Sequence, residues 1–172
     1  FTPLPKYLQK DLQYIRRKPK ENEGHTLILN LEKAVPHMKG DKILIIEDDD
    51  WYGPNYIETM SLWLDTYSLV GEGCARYYHL PTMKCRRIAN TKHASLCQTG
   101  FRDGLLSLFK ECVSGGDPYV DARFWQKAFE YSHVYMDTED KLKLHCAMKG
   151  LKGRKGIGTG HEESSDYYVI DT

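Results

Sequence analysis

The apolar positions of this chain change their period several times, and each change marks an element. From His25 to Met38 the apolar residues Leu27, Leu31, Ala34, Val35 and Met38 recur at spacings of three and four, the repeat of one helix face, and Gly40 supplies a stop. The pattern then becomes an unbroken run, Ile43-Leu44-Ile45-Ile46, three of its four residues β-branched. A short run that is apolar throughout predicts a strand buried on both faces of a mostly parallel sheet. Four acidic residues, Glu47 to Asp50, follow with no spacer. Helical spacing resumes over residues 55–67, with Pro54 placed at the first turn.

Beyond residue 68 the pattern changes again. Val70, Ala75, Tyr77 and Tyr78 on one side of Leu80-Pro81-Thr82, and Cys85, Arg87 and Ile88 on the other, predict an antiparallel hairpin within residues 69–90. Residues 102–113 and 119–131 each predict a helix, separated by Ser114-Gly115-Gly116-Asp117-Pro118. Residues 1–24 read as a charged, proline-bearing loop with a small apolar patch at Leu12, Tyr14 and Ile15. Gly150, Gly153, Gly156, Gly158 and Gly160 make a turn-rich loop that delivers His161. No internal repeat is present. The order helix, buried strand, acidic cluster, helix belongs to an α/β fold, in which ligands bind beyond the carboxyl ends of the strands. The acidic cluster stands at such an end.

Composition narrows the classes. The 172 residues fit one domain, and a 41% hydrophobic, 28% charged composition can bury a core. Lysine plus arginine equals aspartate plus glutamate, 24 of each, which removes the simplest argument for a nucleic-acid binder. No stretch approaches the roughly 18 to 20 apolar residues that span a bilayer. The opening Phe1-Thr2-Pro3-Leu4-Pro5 lacks the apolar core of a signal peptide. The five cysteines (Cys74, Cys85, Cys97, Cys112 and Cys146) are odd in number and widely spaced, with no C-x-x-C pair. That usage fits reduced thiols in a cytoplasmic protein.

The acidic cluster carries the strongest chemical signal. Two charges about 4 Å apart repel by roughly 4 kcal/mol at an effective dielectric near 20, so four adjacent carboxyl groups need an offset. A hard divalent cation with oxygen ligands provides one. A solvated acidic turn is the plainer alternative. An EF-hand does not fit, because Asp48, Asp49 and Asp50 are adjacent rather than alternating and no glutamate closes a twelve-residue loop.

Ile45-Ile46-Glu47-Asp48-Asp49-Asp50, followed by three residues and Pro54, resembles the strand, Asp-x-Asp-like (DXD) motif and proline of family 2-like glycosyltransferases of GT-A fold. Aligning on Pro54 places Glu47, Asp48 and Asp49 over the motif. The resemblance implies that Asp49 binds the divalent metal, Mn2+ or Mg2+, on a nucleoside-diphosphate sugar. It implies that Glu47 or Asp48 touches the ribose or the metal's water shell, although Glu47 departs from the commoner aspartate. Val120-Asp121-Ala122-Arg123-Phe124-Trp125-Gln126-Lys127 resembles the family's second acidic motif, which makes Asp121 the catalytic base of an inverting enzyme. An aspartate before a helical run is also a common N-cap, and the two roles can coexist; Asp117 is the fallback base. Gly156-Ile157-Gly158-Thr159-Gly160-His161 is similar to the late glycine loop through which many such enzymes supply a histidine to the metal, so His161 is the second expected ligand, with a structural histidine as the alternative. Asn30 is a weaker match, since Leu29 stands where an arginine often precedes it.

The resemblance covers residues 11–161 and implies a Rossmann-like, mostly parallel sheet flanked by helices, with a small antiparallel hairpin. The strand and helix that open this family's fold and hold the nucleotide base have no counterpart before Phe1. The expectation is therefore one glycosyltransferase-like domain over residues 1–172, incomplete at its N-terminus, with the base held by a missing segment or a partner chain. The implied activity is metal-dependent sugar transfer to an acceptor hydroxyl, on a glycan, lipid-linked sugar, protein or modified phage DNA. The alternatives are a non-catalytic sugar- or partner-binding module of the same fold and a sugar nucleotidyltransferase. Arg76, Tyr77, Tyr78, His79, Lys84, Arg86 and Arg87 mix basic and aromatic groups suited to stacking on sugars or bases.

Overall fold

The computed structural model describes residues 12–18, 23, 26–131, 133–139, 142–152 and 168. Across them the helices expected from the three- and four-residue spacing all form: α1 (Thr26–Ala34), α2 (Tyr56–Thr66), α3 (Leu106–Ser114) and α4 (Val120–Tyr131). Helix α1 is shorter than its apolar pattern because Pro36 has no amide to donate. A 3-10 turn over Val35–His37 continues it and closes with Met38 N–H on Val35 O at 3.2 Å. A second 3-10 turn, Asp103–Leu105, leads into α3.

The strands are β1 (Lys42–Leu44), β2 (Trp51–Tyr52), β3 (Leu69–Glu72), β4 (Cys74–His79), β5 (Lys84–Ala89), β6 (Thr99–Arg102), β7 (Val134–Asp137) and β8 (His145–Lys149). They form two four-stranded sheets, ordered β1-β6-β3-β7 and β2-β8-β4-β5. The protein is thus mixed α/β. The expected hairpin is β4 and β5, paired from Cys74↔Ala89 to His79↔Lys84 around a turn in which Met83 takes a φ of 52°.

The first sheet is covered on both faces, and its register shows how. Ile43, Phe101, Leu69 and Val134 lie side by side and face one apolar cluster, which α1, α3 and α4 complete with residues such as Ile28, Phe109, Phe124 and Trp125. The next row, Leu44, Gly100, Val70 and Tyr135, faces the other cluster, completed by Tyr56, Met60 and Leu64 of α2. A Cβ on Gly100 would stand 2.5 Å from Leu44 Cδ2 of the neighbouring strand and 3.3 Å from Leu64 and Met60 of α2, so glycine makes room chiefly for Leu44. On the other face the rings of Phe101, Phe109 and Phe124 pack at 4.9 to 5.1 Å between centroids, mutually tilted or edge-on as aromatic quadrupoles favour.

Two expectations need correction. Only the β3/β7 and β4/β8 pairings are parallel; the other four are antiparallel, so the strands do not make one mostly parallel sheet. The cause is β6, which inserts antiparallel between β1 and β3. The run Ile43–Ile46 is also not buried throughout: the strand ends at Leu44, Ile43 and Ile45 are buried, and Ile46 is 50% exposed. β1 pairs with β6 alone among the described strands, so its apolar residues alternate between the two covered faces and then leave the sheet. Among the described residues no helix is long and apolar enough to cross a membrane.

Candidate functional site

The chain leaves β1 and turns through Glu47-Asp48-Asp49-Asp50 into β2, a strand of the second sheet. The acidic turn therefore bridges the two sheets. Its start is fixed by Glu47 N–H, which donates to Tyr52 Oη at 2.8 Å. Its end is fixed by Asp50, whose Oδ1 accepts Met148 N–H at 2.9 Å and whose Oδ2 pairs with His145 Nε2 at 2.9 Å. The Tyr52 ring lies 5.0 Å from the His145 ring and packs edge-on to Tyr56 at 4.8 Å.

The four carboxyl groups divide by environment. Asp48 is exposed and Asp49 half-buried. Glu47 is pushed up to about 7, first by burial, then by repulsion from Asp50 and Asp49, with a further push from Asp121 and an opposing pull from Lys149. Asp50 goes the other way. Burial works to raise it, but the His145 bond and charge, the Met148 amide and Lys149 together hold it below the ordinary aspartate value. Lys149 Nζ stands over the Tyr77 ring, 4.8 Å from its centroid.

Asp121 joins this region from the first turn of α4. The helix begins at Val120, so Asp121 is not the N-cap residue; its carboxylate accepts the neighbouring Ala122 amide at 2.8 Å. Burial raises its pKa, against the pull of the Ala122 amide, His93, its own amide and the Leu96 amide. The Asp121 charge reaches Glu47 from a different element, as a minor influence beside burial and the neighbouring aspartates. Asp117, the fallback, is spent on the Tyr119 amide at 2.9 Å and on Arg123 at 3.4 Å. Asn30 is exposed on α1 and accepts Arg17 Nε–H at 2.9 Å. His161 and Gly153 to Gly160 lie outside the described residues.

The segment from His93 to Thr99 is the hub that the sequence did not reveal. His93 and the Leu96 amide act on Asp121. Cys97 O accepts Tyr56 Oη–H at 2.9 Å, and the Cys97 thiol is hydrogen-bonded to Asp50. Gln98 donates to Glu72 at 3.1 Å, and Thr99 Oγ1 receives Trp125 Nε1–H at 3.0 Å. Glu72, fully buried at the end of β3, also accepts the Leu144 amide at 3.2 Å, just before His145.

Two donor sets result, of different hardness. Glu47, Asp48 and Asp49 offer oxygens at a partly open end, and Glu47 is raised first by burial and then by the repulsion from Asp50 and Asp49 that a bound hard cation would relieve. Carboxylate oxygen is the donor type that suits the Mn2+ or Mg2+ implied by the family resemblance, but among the described residues it is Asp50, Cys97 and His145 that bring three donor atoms together. Asp50, Cys97 and His145 offer O, S and N, with one donor atom from each inside a 4.8 Å span. Cys97 is no nucleophile there: burial, the charges of Glu47 and Asp50 and its bond to Asp50 push the thiol well above its ordinary value, whereas a reactive cysteine needs a depressed one. The basic and aromatic residues singled out in the sequence share the β4–β5 hairpin, with Tyr77 opposite Arg86, His79 opposite Lys84 and Arg76 opposite Arg87. No family model matches the chain, and no curated protein matches it either.

Proposed function

We propose that the chain is a glycosyltransferase domain of GT-A type that moves a sugar from a nucleoside-diphosphate donor to an acceptor hydroxyl with inversion. The arrangement that supports this reading is an acidic turn between the two sheets together with a separate, half-buried aspartate, Asp121 at the start of α4, whose charge adds a minor push to Glu47. An acidic turn for a metal and a second, separate carboxylate for a proton are the two groups the reaction needs.

Mn2+ or Mg2+, held by Asp49 with Glu47 and Asp48 beside it, supplies neutralisation of the charge on a leaving diphosphate when bound. Asp121 accepts the proton of the acceptor hydroxyl, and its raised pKa makes it a stronger base than a solvated aspartate. Tyr52 holds the start of the turn, so that the motif carboxylates keep one geometry. Lys149 brings a positive charge to the same region. Tyr77 and Arg86, paired on the hairpin, would supply stacking and charge for the acceptor, whether glycan, lipid-linked sugar, protein or modified DNA, whereas His79 is buried against the Tyr168 ring. The odd number and wide spacing of the five cysteines are in keeping with cytoplasmic residence.

Calorimetric titration with UDP-, GDP- and dTDP-sugars, with and without Mn2+, tests the assignment. Binding is expected only with Mn2+, and it should vanish in a folded Asp49→Ala protein. Unchanged Mn2+-dependent binding in that variant would sink the metal assignment. Donor binding with no release of nucleoside diphosphate would favour a non-catalytic module, and formation of nucleoside triphosphate and sugar 1-phosphate on addition of inorganic pyrophosphate would favour a nucleotidyltransferase.

A further inference from the structure

We infer that Asp50, Cys97 and His145 form a second, buried cation site, selective for a borderline-soft divalent ion such as Zn2+ and distinct from the carboxylate site at Glu47 to Asp49. The inference stands independently of the glycosyltransferase reading. The three residues arrive from three elements: the turn after β1, the 3-10 turn Leu96–Gln98, and the first residue of β8. One donor atom from each falls within 4.8 Å of the others, and all three side chains are almost wholly buried.

Three features favour an ion over a self-sufficient hydrogen-bond cluster. First, the cluster has donor capacity left over. His145 is 1% exposed and spends Nε2 on Asp50, while its Nδ1 is buried with no hydrogen-bond partner. Buried polar atoms in native proteins nearly always have a partner, so the His145 ring is held by hydrogen bonding through Nε2 alone, the nitrogen that faces Asp50 and the one an ion in this cluster would take. Second, the charges balance. The Asp50 carboxylate and a Cys97 thiolate carry two negative charges and His145 none as a neutral ligand, so a divalent ion leaves the buried group neutral. Binding breaks the Cys97 S–H bond, forms a sulfur–metal bond and releases that proton to solvent. Third, the donors have the right softness. Thiolate with imidazole selects Zn2+ over Mg2+ and Mn2+, which take oxygen. The Met148 amide already bonds Asp50 Oδ1, the outer-shell support that metal-binding carboxylates use. Three protein ligands leave a fourth position for a water molecule, which keeps the buried group neutral.

Cobalt is the probe, because a tetrahedral cobalt–thiolate site absorbs visibly and reports sulfur ligation directly. The full chain is stripped with chelator and titrated with Co2+. The expected result is an equimolar rise of a thiolate-to-cobalt charge-transfer band, erased by Zn2+ and indifferent to Mg2+. The band should survive in Asp49→Ala and in Cys146→Ser, whose thiol is the neighbour of His145, and should be lost in Cys97→Ser. His145→Gln, which keeps a polar side chain in the pocket, should weaken Co2+ binding by more than about tenfold, since even outer-shell partners are worth that much. It serves as the deciding variant should Cys97→Ser fail to fold. No charge-transfer band in the folded wild-type protein overturns the proposal, as does a band that persists unchanged in Cys97→Ser or in His145→Gln.

Discussion

The two sheets of this protein are equal in strand number and opposite in character. The first, β1-β6-β3-β7, has helices on both faces, and its rows Ile43–Phe101–Leu69 and Leu44–Gly100–Val70 are spent wholly on packing. The second, β2-β8-β4-β5, ends at an edge strand whose residues are half-buried or exposed, and it carries His79, Lys84, Arg86, Arg87, His145 and Lys149. Stability is concentrated in the first and polar chemistry in the second. The acidic turn belongs to both, since it leaves β1 and enters β2, and Asp50 ties it back to β8 through His145 and Met148. A site at such a seam gets rigidity from one side and ionisable groups from the other.

The sharpest break in that division would come from its core. Phe101 is fully buried in the centre of the first sheet, against the Phe109 and Phe124 rings. Phe101→Ala should cost about 3–5 kcal/mol in denaturant unfolding, the usual loss for a buried aromatic ring. Arg87→Ala removes an exposed side chain of β5 whose Nε reaches Cys74 Sγ, and it should change stability by no more than about 0.5 kcal/mol. Comparable losses in the two variants would show that the second sheet carries as much of the fold as the first.

The next effect lies at the seam. Asp121→Asn keeps the shape of the side chain and an oxygen for the Ala122 amide, but it cannot take a proton. Turnover should fall by roughly 100-fold or more with donor affinity little changed, as loss of a general base does. A variant that loses stability and keeps its turnover per folded molecule would make Asp121 a group of the helix start and nothing more.

How far the sequence anticipates this arrangement depends on the range of the interactions involved. The four helices were legible because their signal is local, a repeat of three and four along one face. The β4–β5 hairpin was legible from its turn. The path of the first sheet was not. Thr99-Gly100-Phe101-Arg102 contains a glycine and two polar residues and does not read as a central strand, yet it inserts between β1 and β3 and sets their relation. Its glycine is there to make room for Leu44, a residue more than fifty positions earlier. The acidic turn was conspicuous, but the separate fate of Asp50 was not, because its partners Cys97 and His145 lie far along the chain. One signal was available: four consecutive carboxyl groups cannot share one solvated turn cheaply, so at least one needed donors from elsewhere. His161 and its glycine loop, the strongest sequence-based metal candidate after Asp49, are outside the described residues and are left to experiment.

The smallest expected effect concerns a fully buried carboxyl group of the packed sheet. Glu72 is fully buried at the end of β3, accepts Gln98 Nε2–H and the Leu144 amide, and has its pKa raised, chiefly by burial. A carboxyl group whose folded value is raised favours the fold in its protonated form. Its contribution is therefore complete below the ordinary glutamate value of 4.5 and is lost as pH rises through the folded value. Glu72→Gln is neutral at every pH and can still accept the Leu144 amide. The variant should gain on wild type as pH is raised from the acid range to neutrality, by about 1 kcal/mol, the scale of one buried hydrogen-bonded group. Thermal unfolding of both proteins across that range isolates the difference, because every other titrating group is common to the two. If the variant instead loses ground to wild type as pH rises, the Gln98 and Leu144 bonds outweigh burial, and Glu72 belongs with Asp50 among the carboxylates the fold stabilises in charged form.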